Sequence, residues 1–94
     1  MASFVSVSDY EIANAEQIVG IRLNIPDDED LKINGRVSIT ISLTNNVCIT
    51  IYDYRNIKKF FRELRFHFYE GEQPETYDKI YHKFLILIGE ENET

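Results

Sequence analysis

Five cations and an aromatic ring stand close together in the stretch 55–69: Arg55, Lys58, Lys59, Arg62, Arg65 and Phe66. If the stretch is helical, Lys58, Arg62 and Arg65 share one row, and Phe66, four residues after Arg62 and seven after Lys59, projects among the cations. Guanidinium and ammonium groups hold phosphates or carboxylates, and an exposed ring can stack on a base. The chemistry on offer is non-covalent capture of an anion, either a nucleic acid or an anionic protein surface. The alternative is a solvated helix face whose cations are neutralised by acidic flanks, with Phe66 lying against a neighbouring helix.

The carboxylates are gathered too. Asp27, Asp28, Glu29 and Asp30 follow one another in a connecting segment, and Glu70, Glu72, Glu75 and Asp78 form a second acidic group. Calcium takes several oxygen ligands, but the first run lacks the spacing of an EF-hand loop: Lys32 stands where an acid or amide is needed, and no bidentate Glu follows at the required distance. Closely spaced carboxylates can instead imitate a run of phosphates and enter a positively charged nucleic-acid channel. The plainer alternative is a solvating loop that protects a sheet edge.

Covalent and metal chemistry find little support. His67 and His82 fall on different helical stretches, and one cysteine cannot build a four-ligand structural zinc site. Cys48 belongs to a strand's outer row, with no base beside it and no glycine-rich oxyanion turn. The four glycines are scattered, so no phosphate-cradling loop is spelled out. The expectation is a non-enzymatic protein with no cofactor and no metal.

Charge is sorted along the chain. Residues 1–54 hold eight acids against three bases, 55–69 five bases against one acid, and 70–94 seven acids against two bases; these blocks of −5, +4 and −5 sum to the net −6. A sequence pI near 4.8 repels nucleic acid over most of the surface and suits a protein partner with a basic groove. Ninety-four residues with 44% hydrophobic content and twelve aromatics are enough for one modest core. Cys48 has no internal partner, and no N-terminal stretch has the pattern of a signal peptide, so a cytoplasmic setting is expected. The longest apolar run, Phe84 to Ile88, falls far short of the roughly 20 residues a membrane span needs.

The elements that must carry these groups follow from hydrophobic period. Phe4 to Val7 predicts a short strand, and the Ser8-x-x-Glu11 capping-box spacing predicts a helix over residues 9–18. Val19, Ile21, Leu23 and Ile25 alternate with small or polar residues, which predicts a half-buried strand ending at Pro26. An acidic connection over 26–34 and an Asn34-Gly35 turn lead to a hairpin, Arg36 to Leu43 and Val47 to Tyr54. A two-residue loop would put its two apolar rows on opposite faces. A loop at Thr44-Asn45-Asn46 pairs Leu43 with Val47 and Ile41 with Ile49, and requires Asn46 to be left-handed. Ile57, Phe60, Phe61, Leu64 and Phe68 mark the inner side of a helix over 55–69 that Gly71 ends. Pro74 opens a last helix, closed by Gly89, with Tyr77, Ile80, Tyr81, Phe84 and Ile88 inward. Residues 90–94 read as a frayed acidic tail. Leu85 and Ile86 exceed what one apolar stripe uses, so they reach a second part of the core or form a homodimer patch.

The expectation is therefore a single α+β domain: an antiparallel sheet of three or four strands, two C-terminal helices on one face and a short N-terminal helix. Its expected role is a protein-binding module, an acidic inhibitor that mimics nucleic-acid phosphates to block the basic groove of a nucleic-acid-acting enzyme. Small inhibitors of defence nucleases from phage and mobile elements share this size and charge, a likeness of class only. The rivals are an anion binder that uses the 55–69 helix, and a structural homodimer.

Overall fold

The computed structural model describes residues 4–25, 37–68 and 74–90. A two-stranded ladder, β1 (Phe4–Ser6) with β2 (Ile12–Asn14), precedes a three-stranded antiparallel sheet in the order β3 (Ile18–Asn24), β4 (Ser38–Leu43), β5 (Cys48–Ile51). Two helices follow, α1 (Tyr54–Arg65) and α2 (Glu75–Leu87). Among the described residues, no helix is long and apolar enough to cross a membrane.

The helix expected over 9–18 does not form. Ser8 and Glu11 serve instead as the turn of a hairpin, in which the Val7 and Ser8 amides donate to the Glu11 carbonyl at 2.9 and 3.3 Å. Ser8 Oγ accepts from the Tyr10 amide at 3.3 Å, two residues on, not from the third helical amide of a capping box. The physical reason is burial. Two-residue alternation sends Val5, Val7 and Ala13 into the core, whereas a two-turn helix carries its nucleation cost with little apolar surface to offset it. Helix survives only as one 3-10 turn, Ala15–Gln17, capped by Asn14 through its Oδ1 and the Glu16 amide at 3.0 Å. Among the described residues the main sheet accordingly has three strands, with β1 paired to β2.

The β4–β5 hairpin takes the register its hydrophobic rows demand. Ile41 faces Ile49 and Ile39 faces Ile51, the Leu43 amide donates to the Val47 carbonyl at 2.9 Å, and Asn46 turns the loop at φ 65°. A one-residue slip would carry every isoleucine to the polar face. β3 continues the pattern on the other side, with Ile21 opposite Ile41 and Leu23 opposite Ile39. The opposite row is polar. Asn24 Nδ2 donates to Ser38 Oγ and Thr40 Oγ1 at 3.2 and 2.8 Å, and the Thr40 and Thr50 hydroxyls lie 3.2 Å apart.

Asp53 caps α1 by accepting from the Arg55 amide at 2.9 Å. The 3.6 period buries Ile57, Phe60, Phe61 and Leu64 completely or nearly so, and α1 contacts β1, β4 and β5. α2 contacts β3 and contributes Tyr77 and Phe84 to the same core. Phe61 is the hub of that core: its ring meets Phe60, Tyr77 and Tyr81 with centroids 5.7, 5.5 and 5.0 Å away. The Tyr77 hydroxyl donates to the Phe61 carbonyl, tying α2 to α1. Each fully buried Phe or Ile stabilises the fold by roughly 1.5–3 kcal/mol relative to exposure, so these few rings account for much of the stability.

The C-terminal end of α2 is closed by a Schellman turn. Gly89 sits at φ 83°, its amide donates to the Ile86 carbonyl at 3.0 Å, and the Glu90 amide to the Leu85 carbonyl at 2.9 Å. That turn places Glu90 against Lys58, Nζ to Oε2 2.9 Å, so Glu90 is an anchored residue and not part of a frayed tail. Pro26, the acidic connection, the Asn34-Gly35 turn, Gly71 and residues 91–94 lie outside the described residues.

Candidate recognition surface

The face of α1 turned away from the core carries the densest chemistry in the described molecule. At 100° per residue, Arg55, Lys59, Arg62 and Phe66 fall within an arc of about 60°, centred opposite the buried stripe of Ile57, Phe60, Phe61 and Leu64. Lys58 and Arg65 flank that arc on one side. The row of Lys58, Arg62 and Arg65 expected from spacing is thus the edge of a stripe whose centre is Arg55-Lys59-Arg62-Phe66.

Phe66 is 87% exposed, the outcome of how α1 ends. Beyond Arg65 the chain tightens into 3-10 bonding: the Phe66 amide donates to Glu63, His67 to Leu64 and Phe68 to Arg65, at 3.2, 3.0 and 3.2 Å. This turn packs Phe68 against Tyr77, ring centroids 5.3 Å apart, and leaves Phe66 outside. Arg62 and Arg65 stand in the last turn, where the helix dipole favours positive charge.

Neutralisation is sparse. Lys58 pairs with Glu90, but no carboxylate among the described residues lies within ion-pair distance of Arg55, Lys59, Arg62 or Arg65. The one acid on α1, Glu63, is turned to β1: Oε2 accepts from the Ser6 amide at 2.8 Å and Oε1 from the Ser6 hydroxyl at 3.3 Å. Its acceptors are spent on holding the hairpin, not on the cations.

Of the acidic residues singled out by sequence, Glu75 and Asp78 are exposed in the first turn of α2, with Glu75 Oε1 3.3 Å from Lys79 Nζ. Asp27, Asp28, Glu29, Asp30, Glu70 and Glu72 lie outside the described residues. Leu85 and Ile86 are half-buried, and Leu85 packs against the core cluster. His67 is exposed beyond α1 and His82 is exposed on α2, while Cys48 is exposed on β5 with its Sγ 3.8 Å from Ser42 Oγ. No group of three or more potential metal ligands comes together among the described residues.

Sequence reasoning missed two features. One is a cavity of about 790 Å³ between β3 and the helices, walled by Ile18, Ile21, Phe61, Leu64, Phe68 and Ile80. Tyr77, Glu16, His67 and Thr76 also line it, so polar side chains join the apolar ones, with the Tyr77 hydroxyl occupied by the Phe61 carbonyl. The other is the pair of exposed apolar side chains on the outer face of the first hairpin, Phe4 and Ile12, beside the Ser6–Glu63 contact. The short β-period of that hairpin was masked by its capping-box spacing. No family model, curated protein or solved structure matches this chain.

Proposed function

We propose that the protein is a non-enzymatic protein-binding module, an acidic inhibitor that lodges in the basic groove of a nucleic-acid-acting enzyme in the manner of phage or mobile-element anti-defence proteins, working in the host cytoplasm. One observation carries this: the cations of α1 are gathered on one exposed stripe, and among the described residues only Lys58 has a carboxylate partner, Glu90. Residues 55–69 sum to +4 in a chain of −6, so the rest of the molecule holds −6 − (+4) = −10. Signs so divided give an acidic exterior able to steer toward a positively charged groove and a separate basic stripe able to fix orientation. The acidic contact belongs to Asp27, Asp28, Glu29 and Asp30, with Glu70, Glu72, Glu75 and Asp78 as the second site. Both helices lie on one face of the sheet in this arrangement, leaving the polar face clear.

Affinity capture from host lysate tests it. A basic nucleic-acid-binding enzyme should be retained by the wild type, lost on replacing Asp27, Asp28, Glu29 and Asp30 with their amides, and lost progressively with salt. Capture unchanged by those four replacements would contradict the acidic contact.

A second reading, direct binding of nucleic acid by α1, is favoured by the exposure of Phe66 among Arg55, Lys59, Arg62 and Arg65. Titration with labelled single- and double-stranded DNA and RNA distinguishes it. Binding whose logarithm falls with log salt by about 0.9 per phosphate contact on duplex, or about 0.7 on single strands, and which weakens on Phe66→Ala, supports the stripe as a nucleic-acid site. No binding at low salt removes it.

A further inference from the structure

The outer edge of β5 is a strand template that nothing covers among the described residues. In the order β3-β4-β5 the last strand has one neighbour. The bond from the Leu43 amide to the Val47 carbonyl fixes the alternation: the backbones of Val47, Ile49 and Ile51 face β4, and those of Cys48 and Thr50 face away. Strand edges are ordinarily protected by a charge, a proline or a bulge. Between Val47 and Tyr52 there is none of these: the residues are Val, Cys, Ile, Thr, Ile and Tyr, and the β4–β5 register is unbroken. The exposed ends reinforce the point, Val47 at 46% and Tyr52 at 59%.

We infer that β5 pairs antiparallel with β5 of a second copy, joining two three-stranded sheets into one of six. The strand is complementary to itself. With Thr50 on the two-fold axis, the outward amide and carbonyl of Thr50 meet those of its counterpart, and Cys48 faces Tyr52 of the other copy. Ile49 and Ile51 then stay on the helix side in both copies, while the Thr50 hydroxyls meet on the polar face, a favourable cross-strand pair. The lack of charge selects this occupant. Two copies at −6 repel each other over most of their surface, and the stretch Val47–Tyr52 is one where no like charges are brought together. A short edge covers less than the roughly 1,200 Å² of a standard interface, so the dimer is a weak one.

Sedimentation equilibrium of the full chain between about 5 and 500 µM tests this, alongside Thr50→Pro, Thr50→Lys and Leu85→Lys. The Thr50 amide donates nothing to β4, so proline removes an outward donor and leaves the β4–β5 ladder intact. Wild type should dimerise with concentration, and its Cys48 and Thr50 amides should become slower to exchange. Thr50→Pro should weaken association at least tenfold. Thr50→Lys, which sets two ammonium groups opposite each other without changing the backbone, should do the same and decides the matter if the proline variant fails to fold. Leu85→Lys should leave the dimer in place. A wild type that stays monomeric at the highest concentration overturns the inference. So does a dimer that survives both Thr50 variants, or one that only Leu85→Lys dissolves.

Discussion

Single side chains in this protein divide cleanly between holding the fold and facing outward. Tyr77 belongs to the first kind: it is 6% exposed, and burial pushes its hydroxyl from 10.0 up to about 12, with Arg65 pulling the other way. Below pH 10 both folded and unfolded chains keep this proton, so its stabilising contribution is complete there. Between about pH 10 and 12 the unfolded chain loses the proton while the folded chain retains it, so stability falls as pH rises. Urea titrations at pH 8, 10 and 11.5 should show a loss of about 2 kcal/mol for wild type relative to Tyr77→Phe by the last pH. Equal slopes for the two proteins would mean the hydroxyl is not held as described. Phe66 belongs to the second kind. Phe66→Ala should leave the free energy of unfolding within about 0.5 kcal/mol of wild type, the range of an ordinary surface change, whatever it does to partner binding.

Among the elements, those with long, uniform period were legible in the sequence and those set by local polar geometry were not. Val37, Ile39 and Ile41 opposite Ile49 and Ile51 leave one workable register, and Asn46 supplies the left-handed residue it requires. Ile57, Phe60, Phe61 and Leu64 likewise name the inner side of α1 without ambiguity. The segment 8–18 failed because Ser8 and Glu11 satisfy a capping box and a hairpin turn equally well by spacing, and only burial of Val5, Val7 and Ala13 decides between them. The bare edge of β5 depends on strand order, which one hairpin does not disclose. Glu63 links the misread segment to the well-read one. Removing its charge with Glu63→Gln should cost about 1–2 kcal/mol by weakening the charge-assisted bonds to Ser6, and should speed amide exchange in β1 and β2 ahead of β4. Loss spread evenly over all strands would show that Glu63 does not hold the hairpin.

At the scale of the whole molecule, the decisive property is that five of the ten cations fall within residues 55–69, which sum to +4, while a net −10 is carried elsewhere. The candidate site was half legible: spacing put Lys58, Arg62 and Arg65 in one row with Phe66 among the cations, but the stripe is centred on Arg55, Lys59, Arg62 and Phe66, and its freedom from carboxylates of the described residues depends on where Glu63 and Glu90 turn in three dimensions. Such a division has an expected consequence for mechanism. An inhibitor that imitates phosphates competes with nucleic acid for one groove, and salt weakens both, by counter-ion release from the nucleic acid and by screening of the inhibitor's carboxylates. The most direct measurement is displacement: the captured enzyme is loaded with fluorescent duplex DNA, and anisotropy is followed as the chain is added. The account predicts that the duplex is released, that the inhibitor concentration for half-release rises in proportion to added unlabelled duplex, and that the variant lacking the Asp27–Asp30 charges releases none. A ternary complex, in which the chain binds and the duplex stays in place, would contradict it.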